Sequence, residues 1–553
     1  MLHCSIAVKF SNETMKQLNN EKLFAFILGR ETKIARLELE SVLRRFCFCS
    51  DKNNPESCRG MDYSILSVVD NVAIIKIEPH RSFTQIDADN FTTYNLQPTT
   101  LIKLLGGTVK IFEIVGMGSN NLIDDIVKIV QENSIDMSGK LNFGISDYRS
   151  NEVRTKLESS RPKVSNDINK IGLSVKKILK KSHNTRFIAL RDSNELSSIV
   201  SYKNKLDSKG VEIGLFEISN SKFLISNQIP NPNDPKANKL IPNSCFLGRL
   251  VAVTNPEEWS KRDYDKPRGD KYSGMTPPKL ARMLLNITLS RSTNIEARST
   301  KQTQNSKIEN LKHVSDFGFR ISDLRPVVVD PFCGSGNILM EAAMLGCEVV
   351  GFDISEKAVN DTKSNINWLQ QNFQLSISNF QSRPNSQISN SKFSNNNATI
   401  QQCNNAKIFQ ADATKFDFSL IFANKLIPNK LIPVIVTEPY LGQPKKFAPS
   451  MNAARGEYQK VKNLYLDFLK NLQVNSYPSR LARAEADNLQ VICVIFPLVE
   501  TQEGKQFSLL NECIDEIKQM GYTLICEPMI YGRDYQVVKR EIVLLRSNTI
   551  VTQ

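Results

Sequence analysis

At 553 residues the chain is too long for one core, and length alone suggests roughly three or four domains. Apolar residues make up 41%, enough for globular folding, and no apolar run reaches the roughly 18 residues that span a bilayer, which excludes a helical membrane protein. The net charge of +14, from 71 basic and 57 acidic residues, favours a polyanionic partner, although lysine-rich genomes also yield basic enzymes that bind no nucleic acid.

Met1-Leu2-His3-Cys4 opens without the basic flank and long apolar core of a signal peptide, so none is expected. The eleven cysteines are scattered, which reads as reduced thiols in a cytoplasmic chain. Cys47, Cys49 and Cys58 cluster, but their spacing fits no zinc pattern and no histidine lies close, so no metal site is expected.

Residues 1–118 read as a small α+β domain. Leu23 to Leu28 is a strand, Lys33 to Leu43 a helix, and Val68 to Ile77 strand material with a polar turn. Residues 119–245 read as a second α/β block. Lys140 to Ser146 is a strand, Ile168 to Lys181 a helix, and Arg186 to Leu190 the next strand. The helix ends in Lys176, Lys177, Lys180 and Lys181, and further on Leu196 to Val200 and Asn204-Lys205-Leu206 resemble the part of a THUMP domain that meets tRNA. These cations suit RNA contact, but a solvated face stabilised by the helix dipole accounts for the four on the helix as well.

Residues 246–553 read as a doubly wound sheet, with strands at Val327–Val329, Val349–Phe352, Lys407–Gln410, Val434–Val436 and Gln490–Phe496. A final pair, Tyr522–Cys526 and Glu541–Leu545, has no long helix between its members and suits a closing antiparallel hairpin. Residues 218–243 and 372–406 are rich in Asn, Ser and related residues, share short recurring words, and read as low-complexity expansions forming mobile loops.

One segment carries the chemistry. Asp330-Pro331-Phe332-Cys333-Gly334-Ser335-Gly336 follows a buried strand and precedes the helix Asn337 to Met344. Strand, glycine turn and helix open a nucleotide-type α/β unit, because glycine lets the backbone approach a ligand and the helix start offers unpaired N–H groups. The next strand ends in Asp353, about 20 residues on, the usual place for a carboxylate holding ribose hydroxyls. The turn lacks the G-x-G-x-x-G spacing of NAD and FAD sites. An acid beside Gly334 and Gly336 suits a ligand with an ammonium group, as S-adenosylmethionine has.

That segment resembles motif I of class I methyltransferases acting on RNA. Lys271 to Ala281, which includes Met275-Thr276-Pro277-Pro278, resembles the stretch before motif I in the tRNA guanosine-10 N2-methyltransferase family. Leu247 to Val253, Arg262-Asp263-Tyr264 and the N-terminal Phe26-Ile27-Leu28-Gly29-Arg30 resemble the same family, so the likeness covers most of the chain. The resemblance implies a Rossmann-like class I methyltransferase domain preceded by ferredoxin-like and THUMP-like α+β domains. It implies S-adenosylmethionine as cofactor, held through Asp330, Phe332, Gly334, Gly336, Asp353 and Asp412, the last on the adenine amine. It implies tRNA as partner, and leaves open a small activating subunit and the oligomeric state. Tyr531-Gly532-Arg533-Asp534 and Lys539 to Val543 resemble the family's ending; Arg533 and Arg540 there suit phosphates or a plain hairpin surface equally.

The target site is expected after the fourth strand, at Thr437-Glu438-Pro439-Tyr440. Amino-directed methyltransferases resemble this with Asp/Asn-Pro-Pro-Tyr/Phe. An exocyclic amine is a poor nucleophile because its lone pair is conjugated with the ring, and acceptors on both N–H bonds localise it. Glu438 would accept and Tyr440 would stack on a base drawn from its helix. The chain departs from the tetrad: either Glu438 stands for the Asp with one proline missing, or Thr437 holds the Asp position. The expectation is direct methyl transfer to the N2 amine of a guanosine in tRNA, near position 10. The alternatives are adenine N6 in DNA, guanine N2 in ribosomal RNA, and an RNA-binding protein that has lost catalysis. Methylation at pyrimidine C5 needs a cysteine in this loop, and none is there.

Overall fold

The computed structural model describes residues 22–47, 61–79, 97–119, 121–133, 139–150, 164–191, 193–217, 245–269, 275–302, 326–373, 406–422, 433–475 and 491–547. They belong to two compact units, residues 1–257 and 258–553. Nearly all of both low-complexity segments, residues 270–274, and Cys49 and Cys58 lie outside the described residues. Among the described residues no helix is long and apolar enough to cross a membrane.

The first unit begins with β1 (Lys22–Leu28), α1 (Thr32–Cys47), β2 (Met61–Val69), β3 (Val72–Pro79), α2 (Pro98–Leu104) and β4 (Thr108–Met117). The polar turn expected between Val69 and Val72 is a two-residue hairpin, with Asp70 at φ +50°. The strands order β2-β3-β1-β4 and pair antiparallel throughout, which is ferredoxin-like topology. α3 (Leu122–Glu132), β5 (Leu141–Asp147), α4 (Val164–Leu179), β6 (Thr185–Ile188), α5 (Ser198–Lys203), β7 (Gly210–Phe216) and β8 (Phe246–Val253) follow. β5 runs parallel to β6 and β7, and β8 is antiparallel to both β7 and β4.

β8 therefore joins the two expected N-terminal blocks into one eight-stranded sheet, β2-β3-β1-β4-β8-β7-β5-β6. The boundary expected near residue 118 falls inside that sheet, and Phe246–Val253, expected in the third block, belongs to the first unit. An apolar strand carries no local mark of the sheet it joins; its partners are chosen by long-range pairing.

A buried ion pair sits under this seam. Lys110 of β4 places its Nζ 2.6 Å from Glu212 of β7, with both side chains almost wholly buried. The ammonium also donates to the Leu196 carbonyl at 2.5 Å and the Tyr148 hydroxyl at 3.2 Å. Glu212 accepts from Ser146 at 2.7 Å and Ser201 at 2.5 Å. Breaking one side strands a buried charge. Lys110→Met should destabilise this unit by about 3–5 kcal/mol, and Lys110→Met with Glu212→Met by less; urea unfolding followed by amide exchange in β4 and β7 would measure both.

The chain passes through α6 (Pro256–Tyr264) into the second unit. There follow α7 (Pro278–Gln302), β9 (Val327–Asp330), α8 (Asn337–Met344), β10 (Glu348–Asp353), α9 (Glu356–Asn372), β11 (Lys407–Gln410), α10 (Ser419–Phe422) and β12 (Pro433–Thr437). The unit ends with α11 (Met451–Asn475), β13 (Val491–Glu500), β14 (Gln506–Ser508), α12 (Leu509–Gln519), β15 (Tyr522–Leu524), β16 (Met529–Tyr531) and β17 (Val538–Ser547). The sheet orders β11-β10-β9-β12-β13-β17-β15, parallel through β13, with β17 antiparallel between β13 and β15. The parallel strands lie where the apolar runs predict, and all of Val327–Val329 is fully buried. The closing pair is antiparallel as expected, with β16 added at the edge of β17.

Candidate active site

The strand order reverses between β9 and β12, and open α/β sheets take their ligands beyond the carboxyl ends of strands at such a reversal. Asp330 ends β9 and is 1% exposed. Its Oδ1 accepts from the Thr437 hydroxyl at 2.6 Å, across the reversal, and from the Phe332 N–H at 3.3 Å. Burial pushes its carboxyl from an ordinary 3.8 to about 7, against those two hydrogen bonds, and the charges of Asp353 and Glu438 add to the rise. Phe332 packs edge-on against Phe468 of α11.

The turn itself needs its glycines. Gly334 stands at φ +52° and Gly336 at φ +84°, both left-handed. A Cβ on Gly334 would meet nothing within 4 Å, so the turn faces open space there. A Cβ on Gly336 would lie 2.9 Å from Thr362 Cγ2. Gly336 caps α8 with no side-chain acceptor, leaving the first amides of that helix to a ligand or solvent. Asp353 ends β10; its oxygens accept from the Gly334 N–H at 3.1 Å and the Ser355 N–H at 2.9 Å. Asp412 follows β11 and accepts from the Thr414 amide at 2.9 Å and hydroxyl at 2.7 Å, with Lys415 at 3.3 Å. Partial burial works to raise its carboxyl, but these contacts outweigh it and hold the group below its ordinary value.

α8 is anchored from behind. Glu341 is buried and accepts from Arg262 Nε at 2.6 Å and from Arg282 at 2.9 and 2.6 Å. The Arg262 guanidinium also lies over the Trp259 ring at 4.2 Å. Arg262 of the Arg262-Asp263-Tyr264 segment thus has a structural task.

Beyond β12, Pro439 is buried and Tyr440 is 47% exposed. Glu438 is mostly buried, and its carboxylate is gripped from two distant segments. Arg540 of β17 donates through Nε at 2.9 Å, and Thr276 donates its hydroxyl to the other oxygen. Arg540 also donates to the Met275 carbonyl at 3.2 Å, and the Thr276 carbonyl accepts from Asn337 of α8 at 2.7 Å. Arg540, one of two arginines considered for phosphate contact, is turned inward on Glu438 instead. Burial raises the Glu438 carboxyl while Arg540 and Thr276 pull it down, and the balance lies above its ordinary value. Nothing local in the sequence marks Thr276 or Arg540 as its partners; the contacts span 162 and 102 positions.

Among the described residues no cysteine lies in this loop. Cys493 is buried in β13, where burial pushes its thiol up to about 12. The lysines considered for RNA contact lie at or just after the ends of two helices of the first unit. Lys177, Lys180 and Lys181 are exposed at the end of α4, with Lys176 half-buried beside them. Lys205 is exposed after α5 at φ +53°.

The order β11-β10-β9-β12-β13-β17-β15, with a glycine turn after β9, is that of the class I methyltransferase fold. Residues 325–433 match the profile of a methyltransferase domain. A tRNA (guanine(10)-N2)-dimethyltransferase of Methanothermobacter thermautotrophicus is 30% identical over 128 residues, 23% of this chain and 28% of that protein. A "Probable tRNA (guanine(10)-N2)-dimethyltransferase" of Methanothermococcus thermolithotrophicus is 42% identical over 40 residues, 7% of this chain and 25% of that protein. The chain spans about a quarter of the length of the curated relatives it matches. Among solved structures, magnesium protoporphyrin IX methyltransferase of Synechocystis PCC 6803 with bound SAH overlaps 53% of this chain and 93% of its own, at 10% identity and a TM-score of 0.23. That overlap carries no weight; the strand order does.

The cofactor of this fold class is S-adenosylmethionine, and the turn fits it: Gly334 opens to space, and α8 presents uncapped amides. Gly334→Ala should cost about 1–2 kcal/mol of stability for its left-handed backbone but weaken S-adenosylhomocysteine binding further, whereas Gly336→Ala should lose both. Thermal unfolding and calorimetric titration would separate the two. Asp330 has a pH signature as well. Its native pKa near 7 exceeds the unfolded 3.8, so the native state holds the extra proton between them, and stability falls as pH rises through that window. Asp330→Asn should therefore gain melting temperature relative to the parent from pH 4 to about 7 and level off above, in paired thermal scans.

Proposed function

We propose that the protein is an S-adenosylmethionine-dependent methyltransferase acting on tRNA, with the N2 amine of a guanosine near position 10 as target. The observation that carries the reaction class is the Asp330–Gly336 turn at the strand-order reversal, beside the Thr437–Tyr440 loop. The names of the two archaeal relatives and the +14 charge support tRNA as the substrate. S-adenosylmethionine, when bound, supplies an electrophilic methyl group. Gly334, Gly336, Asp353, Asp412 and Phe332 would hold it, with Asp330 supporting the turn from below.

The protein's own part is to position the amine. Arg540 and Thr276 fix the Glu438 carboxylate, and a carboxylate has about four lone-pair positions, so capacity remains to accept an amine N–H. Arg540 favours the anion against burial, which the acceptor role requires. The Thr437 hydroxyl is committed to Asp330, which supports Glu438 as the acceptor of the two. Tyr440 offers an exposed ring for the flipped base. The first unit, ferredoxin-like and in this reading THUMP-like, would engage the tRNA through Lys176, Lys177, Lys180, Lys181 and Lys205, in a cytoplasmic setting.

Labelled S-adenosylmethionine with unmodified tRNA, and DNA and ribosomal RNA in parallel, followed by nucleoside mass spectrometry, tests this. N2-methylguanosine from tRNA is expected, with Glu438→Ala and Arg540→Met each losing about a hundredfold or more in rate while S-adenosylhomocysteine binding persists. Label confined to DNA adenine would overturn the reading.

A further inference from the structure

We infer that Tyr264, Arg533 and Tyr535 form a second RNA-stacking surface, which holds the unpaired nucleotides next to the target base; the inference rests on the tRNA methyltransferase reading. Tyr264 and Tyr535 are 79% and 73% exposed, unusual for rings of that size. They are gathered rather than scattered. Arg533 lies 5.6 Å from the Tyr535 ring centroid and donates to its hydroxyl, and the phenols of Tyr531 and Tyr264 stand within electrostatic reach of the same guanidinium.

The patch is also held in shape. The Arg533 N–H donates to Gln536 Oε1 at 2.7 Å, and the Gln536 N–H returns to the Arg533 carbonyl at 2.9 Å. A side chain at Gly532 would run into Lys539 Cγ at 2.7 Å. Its place is beside the catalytic loop, because Tyr531 pairs with Arg540 across β16 and β17, and Arg540 grips Glu438. Exposed aromatic faces interleaved with arginine are how proteins hold single-stranded nucleic acid, since every base has a face to stack. The exposed acids Asp265 and Asp534 adjoin the patch in sequence and offset part of its attraction for phosphate, so the rings contribute most.

The test compares the parent, Tyr264→Ala with Tyr535→Ala, and Tyr264→Phe with Tyr535→Phe. Fluorescence anisotropy would read binding to unmodified tRNA and to a single-stranded oligoribonucleotide at two salt concentrations. Calorimetry with S-adenosylhomocysteine would check the fold. The alanine pair should bind both RNAs about tenfold or more weakly with an unchanged salt slope, and the phenylalanine pair like the parent. The KM for tRNA should rise with kcat little changed. RNA binding by the alanine pair within about twofold of the parent, or an equal loss in the phenylalanine pair, would overturn the inference. A parent that transfers no methyl to tRNA, yet loses oligoribonucleotide binding with the rings, would overturn the functional reading and leave the surface standing.

Discussion

The catalytic unit turns on one hydrogen bond, from the Thr437 hydroxyl to the Asp330 carboxylate at 2.6 Å. It joins the ends of the two strands between which the sheet reverses direction of growth. The glycine turn leaves from one strand end and the Thr437–Tyr440 loop from the other. Both partners are almost wholly buried, so the bond is short of competing water and the desolvated acid is kept partly protonated near neutrality.

A second set of contacts fixes the direction of the loop. Glu438 is reached from Thr276, ahead of the Rossmann-like sheet, and from Arg540, in its last long strand. Thr276 is in turn tied to Asn337 at the start of α8, which Glu341 anchors through two buried arginines. A chain of contacts, charge-assisted at Glu341 and at Glu438 and neutral between Asn337 and Thr276, thus runs from the back of α8 to the Glu438 carboxylate. Charge-assisted bonds have narrow geometry, which in the proposed reading suits the positioning of an amine.

The departure from Asp-Pro-Pro-Tyr gains a physical account from this network. A glutamate is one methylene longer than an aspartate, and its carboxylate here is held by Arg540 and Thr276. Thr437 fills the place before it and is spent on Asp330. The sequence left two assignments open, and in the proposed reading Glu438 is preferred because the Thr437 hydroxyl is already committed to Asp330.

Local patterning made much of this legible. Val327–Val329 and Val434–Val436 read as strands and Gly334 and Gly336 as a turn, because those properties depend on a few neighbouring residues; that both glycines are left-handed is seen in the structure. The polar turn between Val69 and Val72 was visible for the same reason. The assignment of β8 was not, since pairing with β4 and β7 depends on residues more than a hundred positions away and on those just before it alike. Nor were the partners of Glu438, or the gathering of Tyr264 with Arg533 and Tyr535, because a surface aromatic and a charged residue look the same alone as together. The sequence by itself determined which segments become strands, turn and acid; tertiary structure decided which distant side chains meet, because those contacts are made by packing and not by order along the chain.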